Sequence, residues 1–250
     1  MVKRFKYNTT LNLKDNVACI GYFDSLHIGH QKLILETIAQ AKKLNLKSML
    51  ICFEPDPREL ITNEKIKHIL PYKERINKIK SLGIDDIVVF EFDENFMKID
   101  ALTFINDYLN KMNIKQLICG FDFTFGYQGL GNSKILKKYF NGQLNIVDEV
   151  RLYGKKVSTT RIRKEILNNN FKLVGKLLNY DYYLLLKAEK SAKKGLNWLV
   201  TINIDNIEQI IPNNINILYK NISINDNIME IISNIRIDKN EEFILVFKDE

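Results

Sequence analysis

Val17-Ala18-Cys19-Ile20-Gly21-Tyr22-Phe23-Asp24-Ser25-Leu26-His27-Ile28-Gly29-His30 is the stretch on which the fold turns. Val17–Phe23 is an apolar run of strand length. From Gly29 to Leu44 the apolar residues Leu33, Ile34, Ile38 and Ala41 keep the spacing of one helix face. At a junction of strand and helix, free amide groups and the helix dipole favour an anion. Gly29 lets the backbone come close to a ligand. His27 and His30, two of only three histidines in the chain, can place ring N–H donors on phosphate oxygens. The plainer alternative is a pair of hydrogen-bonded histidines at a helix start.

The same alternation continues outward. Lys47–Phe53 is a second apolar run, followed by a Pro-stiffened loop, Glu54–Leu60. Lys73–Leu82 has helical spacing and stops at Gly83. Ile87–Phe92 is a third strand, Ala101–Met112 an amphipathic helix, Gln116–Gly120 a fourth strand, Asn132–Tyr139 a helix and Leu144–Val147 a short strand. Thr160–Leu167 and Phe171–Leu178 read as two more helices. Continuous apolar strands between helices predict a parallel sheet buried on both faces. The expected fold is α/β, a Rossmann-like doubly wound parallel sheet with ligand at the carboxyl ends of its strands. After Tyr183 the texture changes. Leu199–Ile204, Ile215–Lys220, Ile228–Ile232 and Phe243–Phe247 predict short strands with no helix between them, hence a second, smaller antiparallel β domain. The expected boundaries are 1–182 and 183–250, with the Lys-rich Leu186–Gly195 as linker or loop.

Composition narrows the function classes. The chain has 250 residues and a net charge of +7, but its lysines are dispersed among acidic residues and form no long basic block, which argues against nucleic acid as the partner. No apolar stretch reaches membrane-spanning length, and Met1–Thr10 carries no apolar secretory core. Cys19, Cys52 and Cys119 each sit in an apolar run, without metal-ligand spacing. A cytoplasmic, reducing setting is expected, with no metal-ligating residues of the chain's own. The oligomeric state is left open.

Three further strings carry polar chemistry. Val157-Ser158-Thr159-Thr160-Arg161-Ile162-Arg163 opens a helix. One hydroxyl suffices for capping, so three hydroxyls followed by two arginines suggest an anion site. Phe53-Glu54-Pro55-Asp56-Pro57-Arg58 leaves the second strand with a basic residue at its end. Gly120-Phe121-Asp122-Phe123-Thr124-Phe125-Gly126-Tyr127 leaves the fourth, and its alternating aromatics predict an aromatic face.

Taken together, these strings resemble a known family. Gly21–Ile34 (GYFDSLHIGHQKLI) is similar to the first motif of bacterial FAD synthetases, members of the HxGH nucleotidylyltransferase superfamily. Val157–Arg163 resembles the superfamily's ISSTxxR string. Phe53–Arg58 resembles FxPHPR with Asp56 in place of His, and Gly120–Gly126 resembles the GFDFTFG stretch. The resemblance implies that His27, His30, Ser158 and Arg163 are catalytic. It places Gly21, Tyr22, Phe23, Asp24, Gly29, Gly120, Thr159, Thr160 and Arg161 on the ATP side. Pro55, Asp56, Pro57, Arg58, Asp122, Phe123 and Phe125 fall on the FMN side. ATP and FMN are the implied small-molecule substrates, with Mg²⁺ arriving on ATP. A phosphate monoester, with a second pKa of about 6, is already largely a dianion at neutral pH, so the expected chemistry needs positioning and charge stabilisation more than a base.

Bacterial FAD synthetases commonly carry a riboflavin kinase barrel after this region. Val200–Ile204 (VTINI) is similar to the kinase's PTANI and keeps Thr201 and Asn203; Glu230 is a loose match to its acidic residue. Residues 183–250 read as a truncated, inactive remnant. Three functions stay open: an FMN adenylyltransferase, a bifunctional riboflavin kinase and FAD synthetase, and a non-catalytic flavin- or RNA-binding module.

Overall fold

The computed structural model describes residues 1–7, 9, 13–215, 219 and 221–247. They divide into two compact units: Met1–Ile66 with Tyr72–Val157, and Lys67–Pro71 with Ser158–Glu250.

The first unit holds β1 (Val2–Phe5), β2 (Asn16–Ile20), α1 (Ile28–Leu44), β3 (Lys47–Glu54), α2 (Pro57–Thr62), α3 (Tyr72–Ser81), β4 (Asp86–Glu91), α4 (Glu94–Met97), α5 (Ala101–Thr103), β5 (Ile114–Gly120), α6 (Ser133–Tyr139) and β6 (Gln143–Val147). A two-stranded hairpin, β7 (Arg151–Leu152) and β8 (Lys155–Lys156), follows. The main sheet is all parallel, in the order β1-β4-β3-β2-β5-β6. From β2 the chain moves outward through β3 and β4, then returns to place β5 on the other side of β2. That reversal opens a crevice at the carboxyl ends of β2 and β5, where a doubly wound sheet receives its ligand. The Rossmann-like α/β expectation therefore holds.

Strand alternation sorts the core into two layers. Ala18, Ile20, Met49, Ile51, Phe53, Val88, Phe90, Leu117 and Cys119 pack with Phe96, Phe104, Tyr108, Leu136 and Phe140 on one face. Val17, Cys19, Leu50, Cys52, Val89 and Ile118 lie on the opposite face, and α1 contributes the buried Leu33, Ile34, Thr37 and Ala41 over β2, β3 and β5. The three cysteines are buried and free. Helix α1 ends at Asn45 in a left-handed cap whose amide returns to Ala41 and Lys42.

Several local expectations are corrected. Strand β2 stops at Ile20, because Phe23 and Leu26 take positive φ of 59° and 47°, which no strand accommodates. The expected loop Glu54–Leu60 becomes a helix from Pro57: Asp56 caps it by accepting from the Arg58 amide, and Pro57 suits its first turn. The expected helix Ala101–Met112 is regular only over α5. A π-helical turn, Phe104–Tyr108, and a 3-10 turn, Leu109–Lys111, follow, and the wider turn keeps Phe104, Ile105, Tyr108 and Leu109 all buried. Residues 121–131 form a loop. Gly126, Gln128 and Gly129 have positive φ, and a bridge between Phe125 and Gly131 closes the segment into a loop. A Cβ at Gly126 would lie 2.8 Å from the Ala101 amide nitrogen, so this approach requires glycine.

The second unit begins with α7 (Thr159–Leu167) and α8 (Phe171–Leu178), then β9 (Tyr183–Lys187), β10 (Lys190–Lys194), β11 (Asn197–Asn203), β12 (Ile222–Asn225), β13 (Ile228–Ser233) and β14 (Glu242–Val246). Its antiparallel sheets run β10-β11-β13-β12 and β14-β9, so the smaller β region is present. Phe171, Tyr182 and Phe247 stack at its core, with Phe171 and Phe247 ring centroids 5.0 Å apart. The expected linker Leu186–Gly195 is largely strand. Its lysines face solvent because β10 is an edge strand, where charge discourages further pairing. Positions 216–218 and 220 of the expected strand Ile215–Lys220 lie outside the described residues.

Candidate active site at the carboxyl end of the parallel sheet

The turn between β2 and α1 is built around its two histidines. His27 is the N-cap of α1, and its Nδ1 accepts from the His30 amide at 3.1 Å. In neutral His27 the proton therefore sits on Nε2, which is left to donate. The two rings stack with centroids 3.7 Å apart and planes 12° apart. Gly29 makes the stack possible: a Cβ there would come within 3.0 Å of His27 Cε1. Phe23 closes the edge of the His30 ring at 5.2 Å. Burial lowers the His27 pKa to about 4, against a smaller upward pull from a backbone hydrogen bond and from Asp122. Burial, and then His27 itself, hold His30 well below the usual imidazole range. Both rings are thus neutral at pH 7. His30 Nδ1 is buried with no hydrogen-bond partner among the described residues.

Charged groups gather beside this turn. Asp24 and Asp56 are both buried. Arg58 Nε donates to both Asp56 carboxylate oxygens at 3.1 Å, and Arg58 Nη2 lies 3.7 Å from Asp24 Oδ2. Asp56 thus caps α2 and tethers Arg58 with one carboxylate. Glu54, the last residue of β3, pairs with Arg75 of α3. The Tyr22 ring lies within cation–π range of both guanidiniums, 5.8 Å from Arg58 and 4.8 Å from Arg75. Asp122 pairs with Lys156 of β8, whose ammonium sits 4.7 Å from the Phe121 ring centroid.

Next to these groups is a cavity of about 640 Å³. Tyr22, Phe53, Pro57, Phe92, Phe96, Phe104, Asp122, Phe123 and Phe125 are among its lining residues. The volume suits a multi-ring ligand, and mostly apolar walls with a few polar groups are the usual character of such a pocket. Phe123 and Phe125 stack on each other at 5.5 Å and 15°, and Phe125 is itself core.

The structure thus brings Gly21–Asp24, His27, Gly29, His30, Asp56, Pro57, Arg58 and Gly120–Phe125 to the carboxyl ends of β2, β3 and β5. Of the expected flavin-side residues, Pro57, Asp122, Phe123 and Phe125 line the cavity, and Tyr22, expected on the ATP side, lines it too. Ser158, Thr159, Thr160, Arg161 and Arg163 belong to the second unit. There Ser158 caps α7, accepting from the Arg161 amide at 3.3 Å, Thr159 and Thr160 open the helix, and Arg161 and Arg163 are half-buried. Sequence reading missed Arg75, Glu54 and the wall formed by Phe92, Phe96 and Phe104. The recurrence of Phe at 90, 92, 96 and 104 was a visible signal for that wall.

Comparison with known proteins agrees with this geometry. The FAD synthetase family profile matches residues 9–161. The chain belongs to the FAD synthetase family. A bifunctional riboflavin kinase/FMN adenylyltransferase of Buchnera aphidicola subsp. Acyrthosiphon pisum is 37% identical over 169 residues, 66% of this chain and 54% of the relative. The protein of the same description from Bacillus subtilis is 33% identical over 175 residues, 68% of this chain and 55% of the relative. This FAD synthetase family member therefore spans about half the length of the curated relatives it matches. A crystal structure described as a macrolide-efflux protein from Streptococcus pneumoniae superposes with a TM-score of 0.78 at 24% identity, covering 99% of this chain and 89% of that one, and shows the shared fold.

Proposed function

We propose that this chain is an FMN adenylyltransferase, transferring AMP from ATP to FMN to give FAD and pyrophosphate. The observation that carries the reading is the stacked, neutral His27–His30 pair at the start of α1, set beside an aromatic cavity at the switch point of the sheet. An FMN phosphate oxygen attacks the α-phosphorus of ATP. The new P–O bond forms as the bond to the β-phosphate bridging oxygen breaks, and pyrophosphate leaves with that electron pair. His27 Nε2–H and the Ile28 and Gly29 amides at the start of α1 donate to the triphosphate. His30, its ring held by stacking on His27 and by the edge contact with Phe23, adds a second ring donor. The resemblance assigns Ser158, Thr159, Thr160 and Arg163 to the β- and γ-phosphates, with Arg161 beside them. Tyr22, Phe123 and the cavity wall receive the flavin ring, and Arg58 the FMN phosphate.

No cluster of three or more His, Cys, Asp or Glu side chains suited to a metal occurs among the described residues. Mg²⁺ would arrive with ATP, held mainly by phosphate oxygens whose charge it would neutralise. No helix among the described residues is long and apolar enough to cross a membrane, and a cytoplasmic setting is part of this proposal. Residues 183–250 are proposed to be a kinase-like remnant. Thr201 stands opposite Glu230 across β11 and β13, yet two such residues do not make a phosphoryl-transfer site.

The test is product chromatography after incubating the full chain with MgATP and either FMN or riboflavin. FAD from FMN alone supports the proposal. Any FMN or FAD from riboflavin assigns kinase activity as well, and binding without pyrophosphate release overturns catalysis.

A further inference from the structure

The largest fully buried side chain among the described residues is charged: Arg75, at 1% exposure. Its guanidinium pairs with Glu54 and lies 4.8 Å from the Tyr22 ring centroid and 5.4 Å from that of Tyr72. A buried ion pair seldom returns more than its desolvation cost, so stability alone is a weak reason for one here. Its location supplies a better one. Glu54 ends β3 and begins the Glu54–Arg58 turn, whose far end is held by the Asp56–Arg58 pair. Tyr22 follows β2 and lines the cavity, and both guanidiniums lie within reach of its ring. Arg75 thus joins α3 to the two segments that bound one side of the cavity, and it does not itself line that cavity.

We infer that Arg75 is a positioning residue for the flavin substrate, holding Tyr22 and the Glu54–Arg58 turn in the arrangement that receives FMN. The inference rests on the proposed FMN adenylyltransfer. A guanidinium suits the task because its charge meets Glu54 while its plane covers an aromatic face. The lysine ammonium retains the charge but offers no plane.

The experiment compares the full chain as wild type, Arg75→Met and Arg75→Lys, with FAD formation measured against FMN at saturating MgATP and against ATP at saturating FMN. Arg75→Met is expected to raise KM for FMN at least tenfold while KM for ATP changes less than threefold. Arg75→Lys should recover part of the loss, and FMN binding followed by flavin fluorescence without ATP should give the same order. An FMN KM equal to wild type, or equal increases for both substrates, overturns the inference. If Arg75→Met does not fold, Arg75→Lys and Glu54→Gln are scored on the same split between substrates. A wild-type chain that neither binds FMN nor forms FAD instead removes the proposed function, and this inference with it.

Discussion

His27 Nδ1 accepts the His30 amide while the two imidazole rings lie face to face, 3.7 Å apart. One contact caps a 17-residue helix, and the other brings two ring donors to a single small volume at its positive end. The histidine that satisfies the helix therefore also sets the tautomer available to a phosphate.

Gly29 tests that arrangement directly. Alanine at this position favours the helix by up to about 1 kcal/mol, but its Cβ would press on the His27 ring, 3.0 Å from Cε1. Gly29→Ala should keep the melting temperature near wild type and lower FAD formation at least tenfold. Steady-state rates and a thermal melt on one preparation check both halves; full activity would show that the stack is dispensable.

Stability should fall in mild acid. Folding lowers the His27 pKa to about 4, so between an unfolded value of about 6.5 and this folded one the unfolded chain holds the extra proton. The contribution is complete above pH 6.5 and is lost as pH falls toward 4. His27 alone accounts for ~2 kcal/mol at pH 5, and His30 is displaced in the same direction. Urea unfolding at pH 7 and pH 5 measures the loss, which His27→Asn should reduce; an equal loss in both proteins would refute the assignment.

Asp56 has two tasks, capping α2 and tethering Arg58. Asp56→Ala should cost ~1–2 kcal/mol from the lost cap. Asp56→Asn retains an amide oxygen for the Arg58 N–H and should cost less. Denaturant midpoints for the two variants decide whether the cap carries the larger share.

Phe123 lines the cavity without being part of the deep core. Removing one aromatic contact from a flavin ring should weaken binding by ~0.5–1.5 kcal/mol, roughly two- to tenfold. Fluorescence titration of FMN with Phe123→Ala measures the change, while KM for ATP should stay put. Unaltered FMN affinity would exclude Phe123 from contact with the flavin.

The interior of the sheet was readable because β2, β3, β4 and β5 are buried on both faces and their apolar runs are continuous. The edges were not. Strand β1 carries Lys3 and Arg4 and, among the described residues, pairs only with β4, so its sequence looks like a charged tail. Strand β10 hid in a lysine run for the same reason. The histidine turn was legible because its residue types are rare and closely spaced. Arg75 was not, since one arginine in a charged amphipathic helix looks solvated until Glu54, Tyr22 and Tyr72 close around it. Alternating aromatics at 121, 123, 125 and 127 do not by themselves separate a strand from a loop, and here Gly126 and Gly129, with positive φ, turn the backbone.

The three thiols sealed within the sheet give this protein a built-in gauge of its own opening. Burial pushes Cys19 and Cys52 up to about 12 and Cys119 up to about 11, so each is protonated as well as shielded. An alkylating reagent can reach them only when strands part, so the rate at which label accumulates reports how often the heart of the sheet comes undone.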